Sequence, residues 1–229
     1  PSFDMLGTPQ TKDNKDGMFH FPCGMVIDND SGNVIVADTS NHRVQIFSIS
    51  GQFITKFGSK GNAHGQFDRP WDVTINRQGQ IIVSELGNRR ISIFTRDGQF
   101  LKTFGSQGSG NGQLDEPTGV AVDSNNNIIV VEYGNDRVQV FSENGDFITL
   151  FGSEGKANGQ FNIPFGVIVD RNGNILVSDS WNDRIQLFSS TYQYITQFGK
   201  GKLSRPWGLA ITPQHDIIAC NWGNSKLCV

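Results

Sequence analysis

Short apolar runs separated by turn residues dominate the chain. Between residues 163 and 199, the run "IPFGVIVD" leads through "DRNGN" into "NILVS". The connection "DSWND" then leads to "RIQLF", and a last turn leads to "YQYITQFG". Runs of this length, bounded by Gly, Asn and Asp, predict four strands, here called a to d. Strands a and b are nearly continuous in apolar residues, the pattern of a strand buried on both faces. Strand c alternates, which predicts a position nearer the sheet edge.

The same phrase recurs along the sequence. "ADTSNHRVQIF" at 37–47 returns as "SELGNRRISIF", "VEYGNDRVQVF" and "SDSWNDRIQLF", with a shorter copy, "CNWGNSKLCV", at 220–229. Asp38, Glu85, Glu132 and Asp179 are each 47 residues apart, and so are Arg43, Arg90, Arg137 and Arg184. Repeats start near residues 21, 69, 116, 163 and 205. Four antiparallel strands per repeat at this period predict an all-β fold, a five-bladed β-propeller occupying residues 1–229 as one domain. The last repeat supplies only strands a, b and c, and "SFDMLG" at 2–7 matches the end of strand d. That complement predicts an N-terminal strand completing blade five, and it disfavours a six-bladed parent, which would need roughly another 47 residues.

Bulk composition narrows the class without naming a function. Net charge is −3, so any nucleic-acid binding must come from a local patch. Three cysteines, Cys23, Cys220 and Cys228, lack metal-ligand spacing and favour a reducing, cytoplasmic setting over a disulfide framework. No apolar run is long enough to span a membrane, and no signal-peptide pattern opens the chain.

The pattern P-x-G-V-A-V-D, then N-I-I-V-x-D/E, N-x-R-V/I-Q-V/I-F and G-x-F-x-x-x-F-G resembles NHL repeats, most closely in "EPTGVAVDSNNNIIVVEYGNDRVQVF" at 116–141. The chain is most similar to the C-terminal propeller of tripartite-motif (TRIM-NHL) proteins. That resemblance implies post-transcriptional regulation through RNA or protein binding, and a parent protein whose ubiquitin-ligase activity would reside in a RING segment. Domains of this family usually have six blades, so the five counted here are a departure.

Residues present in every blade are most economically read as scaffold. The acid–arginine pairs across the b–c connection predict structural ion pairs. The Phe columns at 47/94/141/188, 53/100/147 and 57/104/151/198 predict core. What varies between blades is the aromatic and charged content of the connections into strand a and of the b–c loops, which share one end of each blade.

Two assignments follow from that end. For single-stranded RNA (an mRNA), Arg69, Arg89, Lys200, Lys202 and Arg205 would hold phosphates while Trp71, Trp207 and Trp222 stack bases. The alternative is a protein platform recruiting partners or ubiquitination substrates, with Leu86, Tyr133, Phe165 and Trp181 as partner-binding residues. Acids in the connections of blades three and four, among them Asp115, Glu116, Glu154, Asp136 and Asp183, favour that alternative. No nucleophile–base set, phosphate loop or metal-ligand cluster is present in the sequence. The expectation is a domain without catalysis, cofactor, metal, membrane contact or small-molecule substrate.

Overall fold

A computed structural model describes residues 14–212, 214 and 216–229. The chain is an all-β, five-bladed propeller of antiparallel, sequentially ordered sheets, and it divides into two compact units. The first unit, through Gln107, holds two four-stranded blades. Blade one comprises β1 (Met25–Ile27), β2 (Val34–Asp38), β3 (Arg43–Phe47) and β4 (Phe53–Phe57). Blade two comprises β5 (Pro70–Ile75), β6 (Ile81–Glu85), β7 (Arg90–Phe94) and β8 (Phe100–Phe104).

The second unit, from Gly108, holds three blades. They are β9 (Pro117–Val122), β10 (Ile128–Glu132), β11 (Arg137–Phe141) and β12 (Phe147–Phe151); then β13 (Pro164–Val169), β14 (Ile175–Asp179), β15 (Arg184–Phe188) and β16 (Tyr194–Phe198); and β17 (Pro206–Ile211), β18 (Ile217–Asn221) and β19 (Lys226–Cys228). The expected fourth strand of blade five, residues 2–7, lies outside the described residues.

Turn chemistry explains why each blade is a meander. In blade four the Asp170 carboxylate accepts the N–H groups of Asn172 and Asn174, both at 2.8 Å, while Gly173 supplies a φ of 81°. An acidic side chain thus closes its own turn and fixes the register of β13 against β14.

Strand c corrects one expectation. β3, β7 and β11 are buried at every position, so the alternation of strand c does not mark an edge. Its polar residues face the carboxylate of strand b instead. In blade three, Glu132 is fully buried and accepts from Arg137 Nε at 2.7 Å and from Gln139 Nε2 at 2.7 Å. The terminal nitrogens of Arg137 donate to the carbonyls of Ser109, Gly110 and Gln113 at 2.6–3.0 Å. Asn135 links Glu132 to the Gly108 carbonyl, and the Asp115 N–H donates to Glu132 at 3.0 Å.

This clasp ties the connection that enters strand a onto the strands of the same blade. The Asp38–Arg43, Glu85–Arg90 and Asp179–Arg184 pairs repeat it at 2.7 Å. Fully paired charges tolerate burial, whereas unpaired ones do not. In blade five Asn221 stands in the acid's place and its Oδ1 still accepts the Ser204 N–H at 2.6 Å.

The core contains the Phe column 47/94/141/188, each ring at most 3% exposed. It also holds Phe67, Leu114 and Phe161, fully buried although they lie in Gly-rich connections. Phe161 is seated because its N–H donates to Ser153 and its carbonyl accepts from Gly155, both within 2.9 Å. Phe198 departs from its column and is 40% exposed.

Candidate functional site: an aromatic and arginine ladder

Within a blade, the entry into strand a and the b–c loop lie at the same end. In the second unit that end carries a chain of stacked rings. Tyr133, from the b–c loop of blade three, stacks on Phe165 of β13 with ring centroids 5.6 Å apart. Phe165 stacks on Trp207 of β17 at 4.6 Å, and Trp207 stacks on Trp222 at 5.0 Å, the two indoles only 10° from parallel. Beyond Trp222 the ladder continues through a cation: the Arg205 guanidinium carbon lies 5.6 Å from the ring centroids of both Trp222 and Trp181. Such cation–π contacts contribute about 0.5–1 kcal/mol each at exposed sites.

Local geometry places these side chains. Trp181 and Trp222 sit in one-turn 3-10 helices, Ser180–Asn182 and Trp222–Asn224, that end β14 and β18. Each is closed by a residue in the left-handed region, Asp183 or Ser225. Arg205 is itself left-handed, with φ of 49°, and its N–H donates to Asp183 Oδ1 at 2.8 Å. Phe165 and Trp207 follow the proline that begins each inner strand. Those strands approach closely at Gly166, where a Cβ would lie 2.3 Å from the Trp207 carbonyl oxygen. Glycine is therefore required beside Phe165 for the two rings to meet.

Exposure differs along the ladder. Trp181 and Trp222 are 56% and 52% exposed, whereas Tyr133, Phe165 and Trp207 are half-buried. Lys200 and Lys202 are exposed in the connection that ends at Arg205. That connection, "GKGKLSR" at 199–205, contains no acid. Acids flank the ladder elsewhere in this unit, with Asp183 exposed and Asp136 partly buried. Burial raises the Asp136 carboxyl above its ordinary value, against the hydrogen bond from Ile163, and the charges of Glu154 and Asp179 add to the rise.

The remaining sequence candidates belong to the first unit. Trp71 lies half-buried on β5, and its carbonyl accepts the Gly24 N–H at 2.8 Å. Arg69 is exposed, and its Nε lies 3.8 Å from Asp68. Arg89 is partly buried, at the end of the b–c turn with φ of 52°. Leu86 does not present a surface: it is only 6% exposed, because the b–c loop turns its side chain into the blade.

The structure thus regroups the sequence candidates. Trp207, Trp222 and Arg205, the RNA candidates, and Tyr133, Phe165 and Trp181, the protein-partner candidates, form one ladder. Asp183, which fixes the Arg205 backbone, was absent from either set. The sequence marks it only as one of the acids of that loop; in three of the four N-x-R motifs the middle residue, His42, Asp136 or Asp183, accepts the N–H of the next blade's entry residue.

Among the described residues, no three His, Cys, Asp or Glu side chains group as metal ligands, and no helix is long and apolar enough to cross a membrane. Burial raises the Cys23 thiol above its ordinary value, which lowers its nucleophilicity near neutral pH.

Fold and repeat together define a β-propeller domain, and the NHL repeat model matches residues 19–47, 67–94 and 114–141. Among curated proteins, the chain is similar to Protein brain tumor of Drosophila melanogaster, 40% identical over 62 residues. That match covers 27% of this chain and 6% of the length of that protein. Among solved structures, a catalytically inactive virginiamycin B lyase from Staphylococcus aureus with quinupristin superposes with a TM-score of 0.71 at 17% identity. The superposition covers 95% of this chain and 67% of that one. A streptogramin B lyase gives 0.70 at 14% identity, over 90% and 64%. At these identities the likeness is one of fold.

Proposed function

We propose that this propeller is a non-catalytic protein-recognition platform whose contact surface is the ladder Trp181–Arg205–Trp222–Trp207–Phe165–Tyr133. One observation supports this reading above others: the rings already stack on one another and on Arg205. Base stacking needs open ring faces, and Phe165, Trp207 and Trp222 each already have a neighbour on two sides. What remains for a ligand is a rigid surface of Trp, Tyr and Arg, the composition that dominates protein hot spots. Acids beside the ladder weigh against a phosphate backbone. The lyase likeness at 17% identity brings no chemistry to this chain.

Single-stranded RNA is the competing occupant, favoured by the exposed Lys200 and Lys202 in the connection that ends at Arg205. Fluorescence anisotropy with poly-U RNA at two salt concentrations separates the two, run beside selection from displayed random dodecapeptides. The expected result is peptide binding that Trp222→Ala abolishes, with RNA binding weak at both salts. Tight, salt-steep RNA binding that is lost in Trp222→Ala would overturn the protein reading.

A further inference from the structure

Arginine occurs immediately before the strand-a proline in two blades, and the two differ in their surroundings. Arg69 has Asp68 within 3.8 Å. Arg205 has no acidic partner among the described residues, although the Asp183 carboxylate accepts its backbone N–H. Instead its guanidinium carbon is held 5.6 Å from the centroids of two exposed indoles. Its backbone is fixed as well, by the left-handed φ, the Asp183 hydrogen bond and the following proline.

We propose that Trp181, Arg205 and Trp222 form a clamp for a carboxylate, an Asp or Glu side chain on an acidic segment of a protein partner. This rests on the protein-recognition reading above and adds what the partner must present. A guanidinium lying over two indole rings keeps its in-plane N–H donors for a ligand, and that fork matches a carboxylate in two parallel hydrogen bonds. The two indoles limit where the exposed guanidinium can go, so less side-chain freedom is lost when the acid arrives.

Charge around the clamp sets the partner's polarity. Lys200 and Lys202 precede Arg205 in a connection without acids, and neither has an acidic partner among the described residues. They suit further acids on the same segment. Toward Phe165 and Tyr133 the ladder is apolar and lies in the blades whose connections carry Asp136 and Glu154. The partner segment therefore carries its acids at the Arg205 end and apolar residues at the Tyr133 end. Asp136 and Glu154 toward the Tyr133 end disfavour a phosphodiester chain, which would bring a charge at every nucleotide along the ladder.

The test uses the peptides selected against the intact chain. Each is resynthesised with Glu or Asp changed to the amide, and once with phosphoserine in that place. Each version is titrated against the parent chain, Arg205→Gln, Arg205→Lys and Trp222→Ala, with near-ultraviolet circular dichroism confirming that every variant is folded. The expected result is a shared acid in the selected peptides. Its amide should bind the parent at least about tenfold more weakly, and acid and amide should bind alike to Arg205→Gln. Arg205→Lys, which keeps the charge and loses the fork, should recover only part of the difference.

Peptides that need Trp222 yet bind Arg205→Gln undiminished would overturn the clamp and leave the platform standing. Phosphoserine binding more tightly than Glu through Arg205 would overturn the carboxylate assignment. A failure to select any Trp222-dependent peptide would overturn both readings.

Discussion

Asp136 accepts the backbone N–H of Ile163 through Oδ1 at 2.6 Å, joining the b–c turn of blade three to the first residue of blade four. Asp183 does the same for Arg205, and the His42 ring for Arg69. The bond matters because Ile163 sits at φ of 53°, a conformation that costs a β-branched residue about 1–3 kcal/mol. Asp136→Ala, which removes the acceptor, is expected to lower unfolding free energy by about 1–3 kcal/mol in a urea titration.

Asp136→Asn should do the opposite at neutral pH. Burial raises this carboxyl above its ordinary 3.8, so the folded state holds the proton more tightly than the unfolded one. Its contribution to stability is then greatest below 3.8 and is lost as pH rises through the higher folded value. Asparagine keeps an acceptor oxygen, carries no charge and suits the left-handed φ of 49°. Melting temperatures should favour Asp136→Asn at pH 7, with the gain vanishing in acid.

Asp28 carries the reverse sign. Burial alone would raise it, but the Ser31 hydroxyl, the Asp30 N–H and Arg96 outweigh burial and hold it below 3.8. Its contribution is present above 3.8 and is lost as pH falls through the lower folded value. Asp28→Asn should therefore destabilise at neutral pH and flatten the acid limb of the stability profile, as read by thermal melts across the carboxylate range.

Arg137→Ala tests the clasp. It leaves Glu132 charged, buried and without its main partner, which is expected to cost about 3–5 kcal/mol. Adding Glu132→Gln should restore part of that loss, and a double-mutant cycle in urea would reveal the coupling.

Phe161→Ala should cost about 3–5 kcal/mol, because this fully buried ring leaves a cavity inside a connection. Phe198→Ala, at an exposed ring, should cost much less. Equal losses in denaturant titrations would contradict the burial difference.

Gly166→Ala links the scaffold to the ladder. The added methyl would meet the Trp207 carbonyl at 2.3 Å and push β13 from β17. The Trp207–Trp222 pair is held rigidly by this packing, so both Gly166→Ala and Trp222→Ala should diminish the near-ultraviolet circular dichroism of the tryptophans.

The repeat was legible because it is local and periodic. Turn residues, proline starts and the acid–arginine spacing recur at fixed intervals, so the five blades could be counted from them. The core Phe column followed from the same register, whereas Phe67 and Phe161 were hidden in Gly-rich connections that read as linkers. Strand c misled because its Arg and Gln suggest exposure, and only the carboxylate facing them across the sheet explains their burial.

The sequence by itself determined that this protein is a propeller of repeated four-stranded units, since each unit's hydrogen bonds and turns are specified within its own 47 residues or so. Tertiary structure alone decided which variable side chains meet. Tyr133, Phe165, Trp207 and Trp222 come from three blades, and nothing in their spacing shows that their rings stack. Arg69 and Arg205 occupy the same place in the repeat; Asp68 precedes the one in sequence, whereas the other lies over Trp222 of its own blade and Trp181 of the blade before it, a meeting that only packing decides. Contacts between repeats depend on how one blade twists against the next, and that geometry is written in the close approach of strands such as those at Gly166.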